Sequence, residues 1–300
     1  MATLPPRVVV VRRRSEYEQL VAAHATRGAA EFFLRTRGQS LEEIERRHER
    51  LEAARQAALA AIPPMWRRAE VLREELARFL FEPEDVVVCV GQDGLVANVA
   101  KYLSGQVVVG VNPDPETYEG VLVPHPPRAV DGLLRTAAGG DGEVERRTMV
   151  ECRIDDGGRL VALNEVFLGH RSHQSARYRI RAGGREERQS SSGVVVVTGT
   201  GATGWGRSIH LARRSELALP EPSEPALAFF VREAWPSLRT GASLVEGRLD
   251  GADPLELVSE LDDGGVCFGD GIEDDRLEFS FGRVASVAPA AERLALLRVA

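Results

Sequence analysis

The sequence predicts an α/β N-terminal domain followed by a β-rich C-terminal domain. Three observations support this: β-branched runs alternate with helical segments in the first part, short strands fill the later part, and a proline- and glycine-rich stretch lies between them. A chain of 300 residues has room for two domains, since single cores stop growing at roughly 250 to 300 residues. We place the α/β domain at 1–125 and the β-rich domain at 126–285, with the C-terminal tail 286–300 packing back on the first.

Continuous β-branched runs predict the strands of the first domain. Val8 to Val11, Val86 to Val90 and Val107 to Val111 have the composition of parallel strands that are covered on both faces. The last two runs enclose the turn Gly91–Gly94 and a helical stretch that ends at Leu103. This order predicts a βαβ unit with a glycine turn between strand and helix.

Capping patterns and apolar spacing predict helices between these strands. Ser15 with Glu18, and Ser40 with Glu43, fit the capping box, and each pair opens a segment with apolar residues at helical intervals. The segment Arg67 to Leu80 carries apolar residues on one side and charges on the other, which predicts a third helix. We expect a structural role for all three.

The composition changes after residue 121. Pro124, Pro126 and Pro127 precede the glycine-rich stretch Gly139–Gly142, so the domain boundary is predicted here. Turn clusters then separate short strands with little helix between them. The predicted strands are Thr148 to Ile154, Ala162 to Phe167, Ala176 to Arg181, Val194 to Val197, Leu255 to Leu261 and Leu277 to Phe281.

Composition excludes several classes of function. The net charge of −7 argues against a general nucleic-acid binder, and no window approaches the ~20 apolar residues of a membrane span. Lys101 is the only lysine, so a P-loop with its phosphate-binding lysine is excluded. Scattered cysteines and the lack of a targeting pattern predict reduced thiols in a cytoplasmic protein without a membrane partner. The cysteines are Cys89, Cys152 and Cys267.

The turn Gly91-Gln-Asp-Gly-Leu95 lies between a predicted strand and a predicted helix. At such a position backbone N–H groups and the helix dipole bind phosphate, and glycine allows close approach. Asp93 has two interpretations. In the first, its carboxylate is chemically active, as a base for a hydroxyl nucleophile or as a partner for magnesium. In the second, it caps the following helix in an ordinary turn.

The stretch Gly199–Gly204 formally matches the dinucleotide fingerprint G-x-G-x-x-G. A Rossmann fingerprint lies in the first βα turn and leads into a long helix, whereas this motif falls two-thirds along the chain among predicted short strands. Two interpretations remain. The hydroxyls of Thr198, Thr200 and Thr203 and the face of Trp205 meet a nucleotide, or the stretch is a hairpin loop with Trp205 in the core.

Asn164 and Glu165 stand between apolar residues in a predicted strand. A buried polar group costs free energy unless it is paired, so an adjacent Asn and Glu suggest ligand hydroxyls or amides as partners. The alternative is a strand end at the surface.

Together and in this order, the motifs resemble the NAD kinase family, and within it the mitochondrial branch and its bacterial relatives. Gly91–Leu95 is similar to the family's G-G-D-G-T, Asn164-Glu165 to its Asn-Glu pair, and Thr198–Trp205 to its threonine-rich glycine loop. Val111–Gly120 and Leu261–Gly271 resemble that branch in particular. The resemblance spans most of the chain, and G-G-D-G-T alone is unspecific, whereas the combination is specific.

The resemblance implies a site in the cleft between the two domains and transfer of the ATP γ-phosphoryl group to the adenosine ribose 2′-hydroxyl of NAD. It implies ATP, magnesium and NAD as small-molecule partners, and a homodimer or higher homo-oligomer. Asp93 is then the general base, and Gly91, Gln92 and Gly94 border the ATP phosphates; no residue is assigned as a metal ligand. The residues implied to bind NAD are Asn112, Asn164, Glu165, Thr198, Thr200, Gly201, Thr203 and Trp205.

Two departures from the family motif keep alternatives open. Gln92 replaces a glycine, which puts a side chain where the backbone approaches phosphate, and Leu95 replaces a hydroxyl residue. One alternative is a catalytically weakened NAD(P)-binding regulatory protein of the same fold. Another is a lipid or small-molecule kinase that shares only the glycine turn, which leaves the Asn164-Glu165 pair unexplained.

Overall fold

The computed structural model describes residues 5–251 and 253–298. The chain divides into two compact units, Met1–Glu145 with Ala295–Ala300 and Arg146–Leu294; residues 1–4, 252 and 299–300 lie outside the described part. The predicted α/β domain followed by a β-rich domain is confirmed.

The first unit combines helices with parallel strands. Ser15 forms the predicted capping box with Glu18 at the start of the first helix. Short 3-10 turns, Arg73–Arg78 and Pro127–Ala129, connect some of the elements. In chain order the elements are β1 (Arg7–Arg12), α1 (Glu16–His24), α2 (Arg27–Arg35), α3 (Leu41–Ala60), β2 (Arg67–Leu72), β3 (Val86–Val90), α4 (Asp93–Ala100), β4 (Val107–Val111) and α5 (Val130–Gly139).

The strands of this unit pair in parallel in the order β2, β1, β3, β4, and the last strand of the chain adds Ala295 and Leu296 beside β4. The valines of β1 and β3 are buried, as expected for strands covered on both faces. Val90 pairs with Val111, so β3 and β4 end side by side at the carboxyl edge of the sheet. In open α/β sheets this edge is where ligands bind.

The predicted helix Arg67 to Leu80 is wrong. Arg67–Leu72 is instead the edge strand β2, paired with β1 in a register that joins Arg7 to Arg67, and a 3-10 turn follows. An edge strand tolerates charged side chains because one side of it meets solvent. Glu70 on this strand accepts hydrogen bonds from Arg12 and Arg55, so tertiary pairing overrides the helical spacing.

The division between the units at 145/146 lies beyond the predicted boundary at 125/126. The reason is α5, whose Val130, Leu133 and Leu134 are buried in the same apolar cluster as Val8 and Val88 of the first unit's strands. The tail likewise joins the first unit from Ala295 rather than from residue 286, and residues 299 and 300 of the predicted tail lie outside the described part.

The second unit is dominated by antiparallel strands. Leu163 and Asn164 form a bend between two strands, where the sequence predicted one strand from Ala162 to Phe167. Gly201–Thr203 is a 3-10 turn that leads into the helix of this unit. The elements are β5 (Glu143–Ile154, which begins in the first unit), β6 (Arg159–Ala162), β7 (Glu165–His170), β8 (Ala176–Ala182), β9 (Arg185–Ser191), β10 (Val194–Val197), α6 (Trp205–Arg213), β11 (Leu227–Val231), β12 (Glu246–Leu249), β13 (Leu255–Ser259), β14 (Gly265–Gly269), β15 (Leu277–Glu278) and β16 (Val284–Arg298).

One sheet of the second unit runs β12, β11, β10, β7, β14, β15. Strand β10 lies between β7 and β11 and pairs antiparallel with both. The glycine-rich stretch after β10 therefore does not belong to a parallel βαβ unit of the Rossmann type. In another layer β8 pairs with β9 and β13, and β13 with β16, all antiparallel.

The described helices include none that is both long enough and apolar enough to span a bilayer.

Candidate functional site

The turn Gly91–Gly94 joins β3 to α4 at the carboxyl edge of the parallel sheet. The Gly91 N–H donates to the Val111 carbonyl at 3.0 Å, which ties the turn to β4. Gln92 is the exposed N-cap residue of α4, and its side chain makes no capping hydrogen bond. Leu95 is buried and packs toward Gly91, so the residue that departs from the family's hydroxyl serves the core.

Asp93 is the first residue of α4, and its carboxylate holds a neighbouring segment of backbone. Oδ1 accepts from the N–H of Leu122 at 2.7 Å and of Val123 at 3.2 Å, and Oδ2 accepts from the N–H of Val121 at 3.1 Å. A carboxylate offers about four lone-pair positions. The described hydrogen bonds therefore leave one position on Oδ2 for a ligand hydroxyl.

Asn112 follows β4 directly and is buried, with 2% of its surface exposed. Its Nδ2 donates to the Tyr118 carbonyl at 2.8 Å, and its Oδ1 accepts from the Asp114 N–H at 2.9 Å. The side-chain amide therefore stabilises the turn 112–118. Asn112 lies at the same sheet edge as the Gly91–Gly94 turn, but its polar atoms are engaged in the protein.

In the second unit, the bend that carries Asn164 and Glu165 has all its backbone donors bonded to one side chain. The Asp270 carboxylate accepts from the N–H of Leu163 at 2.8 Å, of Asn164 at 2.7 Å and, more weakly, of Glu165 at 3.4 Å. The Asp270 N–H returns a bond to the Glu165 carbonyl at 3.1 Å. Asp270 itself adopts the left-handed conformation, with φ of 51°, which is uncommon for a residue other than glycine.

Thr198 donates hydrogen bonds to two carbonyl groups of the same bend. Its N–H donates to the Asn164 carbonyl at 2.9 Å, and its hydroxyl donates to the Leu163 carbonyl at 2.6 Å. Among the described residues no hydrogen bond engages the Asn164 amide or the Glu165 carboxyl, and both side chains are half-buried. The backbone of the bend is thus hydrogen-bonded within the protein, whereas these two polar side chains are not.

The glycines of the stretch Gly199–Gly204 allow backbone to approach backbone. A Cβ on Gly201 would lie 2.0 Å from the Asn164 carbonyl oxygen, and one on Gly199 would lie 2.1 Å from the Glu221 carbonyl oxygen. The Thr198 hydroxyl also accepts from the N–H groups of Thr200 and Gly201, both at 3.1 Å. Gly199 and Gly201 are therefore explained by packing within this unit.

Trp205 begins α6 and is half-buried. Its ring lies nearly parallel to that of Phe167, with centroids 6.2 Å apart, and the Arg232 guanidinium lies 5.5 Å from its centroid. The sequence left open a loop that meets a nucleotide or a hairpin with Trp205 in the core. The structure shows a strand–turn–helix connection in which Trp205 packs against the edge of an apolar cluster.

The predicted NAD-binding residues of the second unit divide by exposure. Thr198, Thr200 and Gly201 are buried and support the backbone, and the Thr203 hydroxyl donates to the Thr200 carbonyl at 2.8 Å while the residue stays exposed. The side chains that remain accessible are those of Asn164, Glu165, Thr203 and Trp205. Thr200 also accepts a long hydrogen bond of 3.4 Å from Arg147 on β5.

Glu165 has unusual electrostatics. Burial raises the pKa of its carboxyl to about 7, and the negative charge of Asp270 adds to the shift. Both causes disfavour the ionised form. Glu165 therefore titrates near neutral pH.

Sequence reasoning missed Asp270 and the segment Val121–Val123. Asp270 lies in Gly269-Asp270-Gly271, within the Leu261–Gly271 stretch that carried part of the family resemblance, so a second Asp-Gly turn was available as a signal. Val121–Val123 offers no such signal, because its contribution is made by backbone N–H groups alone.

The described residues contain no group of three or more His, Cys, Asp or Glu side chains that could hold a metal ion. Magnesium is commonly held by one or two carboxylates together with substrate phosphates.

Solved structures with a similar fold include an NAD kinase from Archaeoglobus fulgidus in complex with ATP and the yeast NADH kinase complexed with NADH. The first is 20% identical, with a TM-score of 0.58, and the match covers 97% of this chain and 93% of the other. The second is 14% identical, with a TM-score of 0.60, and the match covers 99% of this chain and 84% of the other. No protein-family model matches the chain, and no curated protein matches it significantly. The chain therefore has the two-domain fold of the NAD kinases.

Proposed function

We propose that this protein is an NAD kinase that transfers the γ-phosphoryl group of ATP to the adenosine ribose 2′-hydroxyl of NAD, giving NADP and ADP. The observation that carries the proposal is the position of Asp93 in a glycine turn, at the N-terminus of a helix and the carboxyl edge of a parallel sheet. Structures of the same fold include one complexed with ATP and one complexed with NADH, which supports nucleotides as ligands.

The proposed chemistry begins at Asp93. The lone-pair position that remains on Oδ2 accepts the proton of the 2′-hydroxyl, and the hydroxyl oxygen attacks the γ-phosphorus as its bond to ADP breaks. Gln92 and Gly94 lie at the start of α4, where the backbone N–H groups of a helix N-terminus attract the negative charge of phosphate. Val121–Val123 orients the carboxylate through its three N–H donors.

NAD recognition is assigned to the second unit. Asn164 and Glu165 bond NAD hydroxyls, because the backbone of their bend is already bonded to Asp270 and Thr198. Thr203 and Trp205 offer an accessible hydroxyl and ring in the same unit. The buried Thr198, Thr200 and Gly201 act through the backbone that they hold, and Asn112 acts through its turn.

Magnesium belongs to the proposal as a companion of ATP. When bound, it neutralises charge on the phosphate oxygens. We also propose that the protein is cytoplasmic and forms a homodimer or higher homo-oligomer. We assign it to the mitochondrial branch of the family because Val111–Gly120 and Leu261–Gly271 resemble that branch. Light scattering of the purified protein measures its oligomeric state.

A second candidate is a catalytically weakened NAD(P)-binding regulatory protein. The observation that favours it is the engagement of the Asp93 carboxylate by three backbone N–H groups, which leaves little room for proton transfer. Gln92 also favours this candidate, because it places a side chain at the proposed phosphate turn.

One experiment separates the two candidates. Purified protein is incubated with NAD, magnesium and either ATP or polyphosphate, and NADP is measured with an NADP-specific dehydrogenase. We expect NADP with at least one donor, and the Asp93→Asn variant serves as the matched control for contaminating kinases. NAD binding by calorimetry without NADP from any donor would leave the binding protein and refute the kinase.

A further inference from the structure

Asp270 and Glu165 form a pair of carboxyl groups outside the proposed phosphate turn. Asp270 holds the backbone of the bend that carries Glu165, through bonds of 2.7 and 2.8 Å to the N–H groups of Asn164 and Leu163. The Asp270 N–H and the Glu165 carbonyl close the connection at 3.1 Å. The two residues are thus joined through the backbone, and no hydrogen bond from another described residue reaches the Glu165 carboxyl.

We infer that Asp270 is a positioning residue that makes NAD binding at Glu165 proton-linked, so that NAD displaces a proton from Glu165. This inference rests on the proposed function, because NAD is the ligand. Asp270 contributes in two ways: it fixes the bend, and its negative charge lies beside the carboxyl that meets the ligand. It is not itself required to touch NAD.

The linkage follows from hydrogen-bond chemistry. The free protein carries a neutral Glu165 over the lower part of the neutral range, since burial and Asp270 raise its pKa to about 7. A ribose hydroxyl donates to a carboxylate and favours its ionised form. Binding therefore converts Glu165-COOH and NAD into Glu165-COO⁻ bonded to the NAD hydroxyl, with one proton released to the solvent.

Among the described residues, Asp270, from the turn after β14, carries the charge that shifts the pKa of the Glu165 carboxyl, and it opposes ionisation. Arg147 on β5 donates to Thr200 in the adjoining loop. Strand β10 presents Val197 opposite Glu165, so it adds no charge.

A titration without ligand tests the pairing of the two carboxyls. Glutamate labelled with ¹³C at the side-chain carboxyl is introduced, and the Glu165 signal is assigned by its loss in Glu165→Gln. We expect a midpoint near pH 7 in the wild type and a midpoint lower by about one unit in Asp270→Asn. The matched control is Asp274→Asn, which removes one charge from an exposed residue of the following turn and leaves the midpoint unchanged.

A midpoint in the ordinary range of glutamate in the wild type overturns the inference, as does a midpoint that Asp270→Asn leaves in place. The wild-type titration decides the matter even where Asp270→Asn does not fold. These results need no NAD, so they are independent of the proposed function.

NAD affinity measured by calorimetry at pH 6 and pH 8 tests the linkage itself. With a pKa near 7, the wild type is expected to bind NAD about 10-fold more tightly at pH 8 than at pH 6, and to release protons in buffers of different ionisation enthalpy. Asp270→Asn is expected to show about a twofold change. Glu165→Gln is expected to show none.

Equal wild-type affinity at the two pH values, with NAD bound, overturns the proton linkage and leaves the kinase proposal intact. No NAD binding at either pH contradicts the proposed function instead, and the carboxyl titration then still reports on Asp270 and Glu165.

Discussion

Asp93 in the first unit and Asp270 in the second perform the same structural task with different consequences. Each carboxylate accepts three consecutive backbone N–H groups, those of Val121–Val123 for Asp93 and those of Leu163–Glu165 for Asp270. The segment held by Asp93 is apolar and offers a ligand no side-chain polar group. The segment held by Asp270 carries Asn164 and Glu165.

The comparison separates two ways in which an aspartate in a glycine turn contributes to a site. In the proposed reaction Asp93 uses its one remaining lone pair, so holding backbone and accepting a proton compete for one carboxylate. The Asp270 carboxylate holds the backbone of Asn164 and Glu165, which we propose as the residues that contact NAD. An Asp-Gly turn in a sequence therefore first suggests an aspartate that accepts hydrogen bonds from neighbouring backbone, and only then a catalytic acid or base.

The glycines near the two aspartates give the largest expected effect. A Cβ on Gly201 meets the Asn164 carbonyl oxygen at 2.0 Å, whereas a Cβ on Gly94 meets nothing within 4 Å. Gly201→Ala is therefore expected to lower the free energy of unfolding by about 3 kcal/mol or more, because backbone has to move. Gly94→Ala lies in a helix and is expected to raise it by up to about 1 kcal/mol. Urea unfolding of both variants measures the difference, and equal stability would show that the loop does not rest on Asn164.

Asp93→Asn tests whether the first aspartate does more than hold backbone. The amide keeps one acceptor oxygen for Leu122 and Val123 but removes the base, so we expect turnover to fall by ~100-fold or more with NAD affinity nearly unchanged. NADP formation and calorimetry measure the two quantities. A variant that turns over at the wild-type rate would show that Asp93 only holds backbone N–H groups, as Asp270 does.

The second region predicts a pH dependence of stability. The pKa of Glu165 rises from 4.5 to about 7 on folding, so the folded protein binds more protons than the unfolded chain between these values. The stabilisation is complete below pH 4.5 and is lost as the pH rises through 7. Between pH 5 and pH 8 this group is expected to lower the free energy of unfolding by about 2.5 kcal/mol.

Denaturant unfolding of the wild type and Glu165→Gln at both pH values isolates that contribution, because the other groups titrate alike in the two proteins. The variant is expected to lose less stability toward pH 8, and parallel pH profiles would contradict the prediction.

Local pattern accounts for what the sequence could predict. Val194 to Val197 is a strand with the predicted bounds because a run of valines between turn residues has few alternatives. The Gly91–Gly94 turn could be predicted because it lies directly between a predicted strand and a predicted helix. Arg67–Leu72 was predicted as helix because the pairing of an edge strand with β1 leaves little mark on its own composition.

The hydrogen-bond partners of the two aspartates could not be predicted from the residues next to them in the sequence. Asp270 bonds to a residue 107 positions away in the chain, and Asp93 to one 28 positions away. Backbone N–H groups are common to nearly all residues, so no side chain marks Val121–Val123 as the partner. The raised pKa of Glu165 likewise depends on burial and on a neighbour that only folding brings close.

Gln92→Gly is expected to have the smallest effect, and it tests how the first region tolerates its departure from the family's motif. Gln92 is exposed at the N-cap of α4, and its neutral amide can donate two hydrogen bonds to phosphate in place of the backbone contact that it obstructs. The variant is expected to change the rate by less than about tenfold, or to shift the preference between ATP and polyphosphate. NADP formation with each donor measures both. A hundredfold gain would show that the Gln92 side chain hinders phosphoryl transfer in this chain.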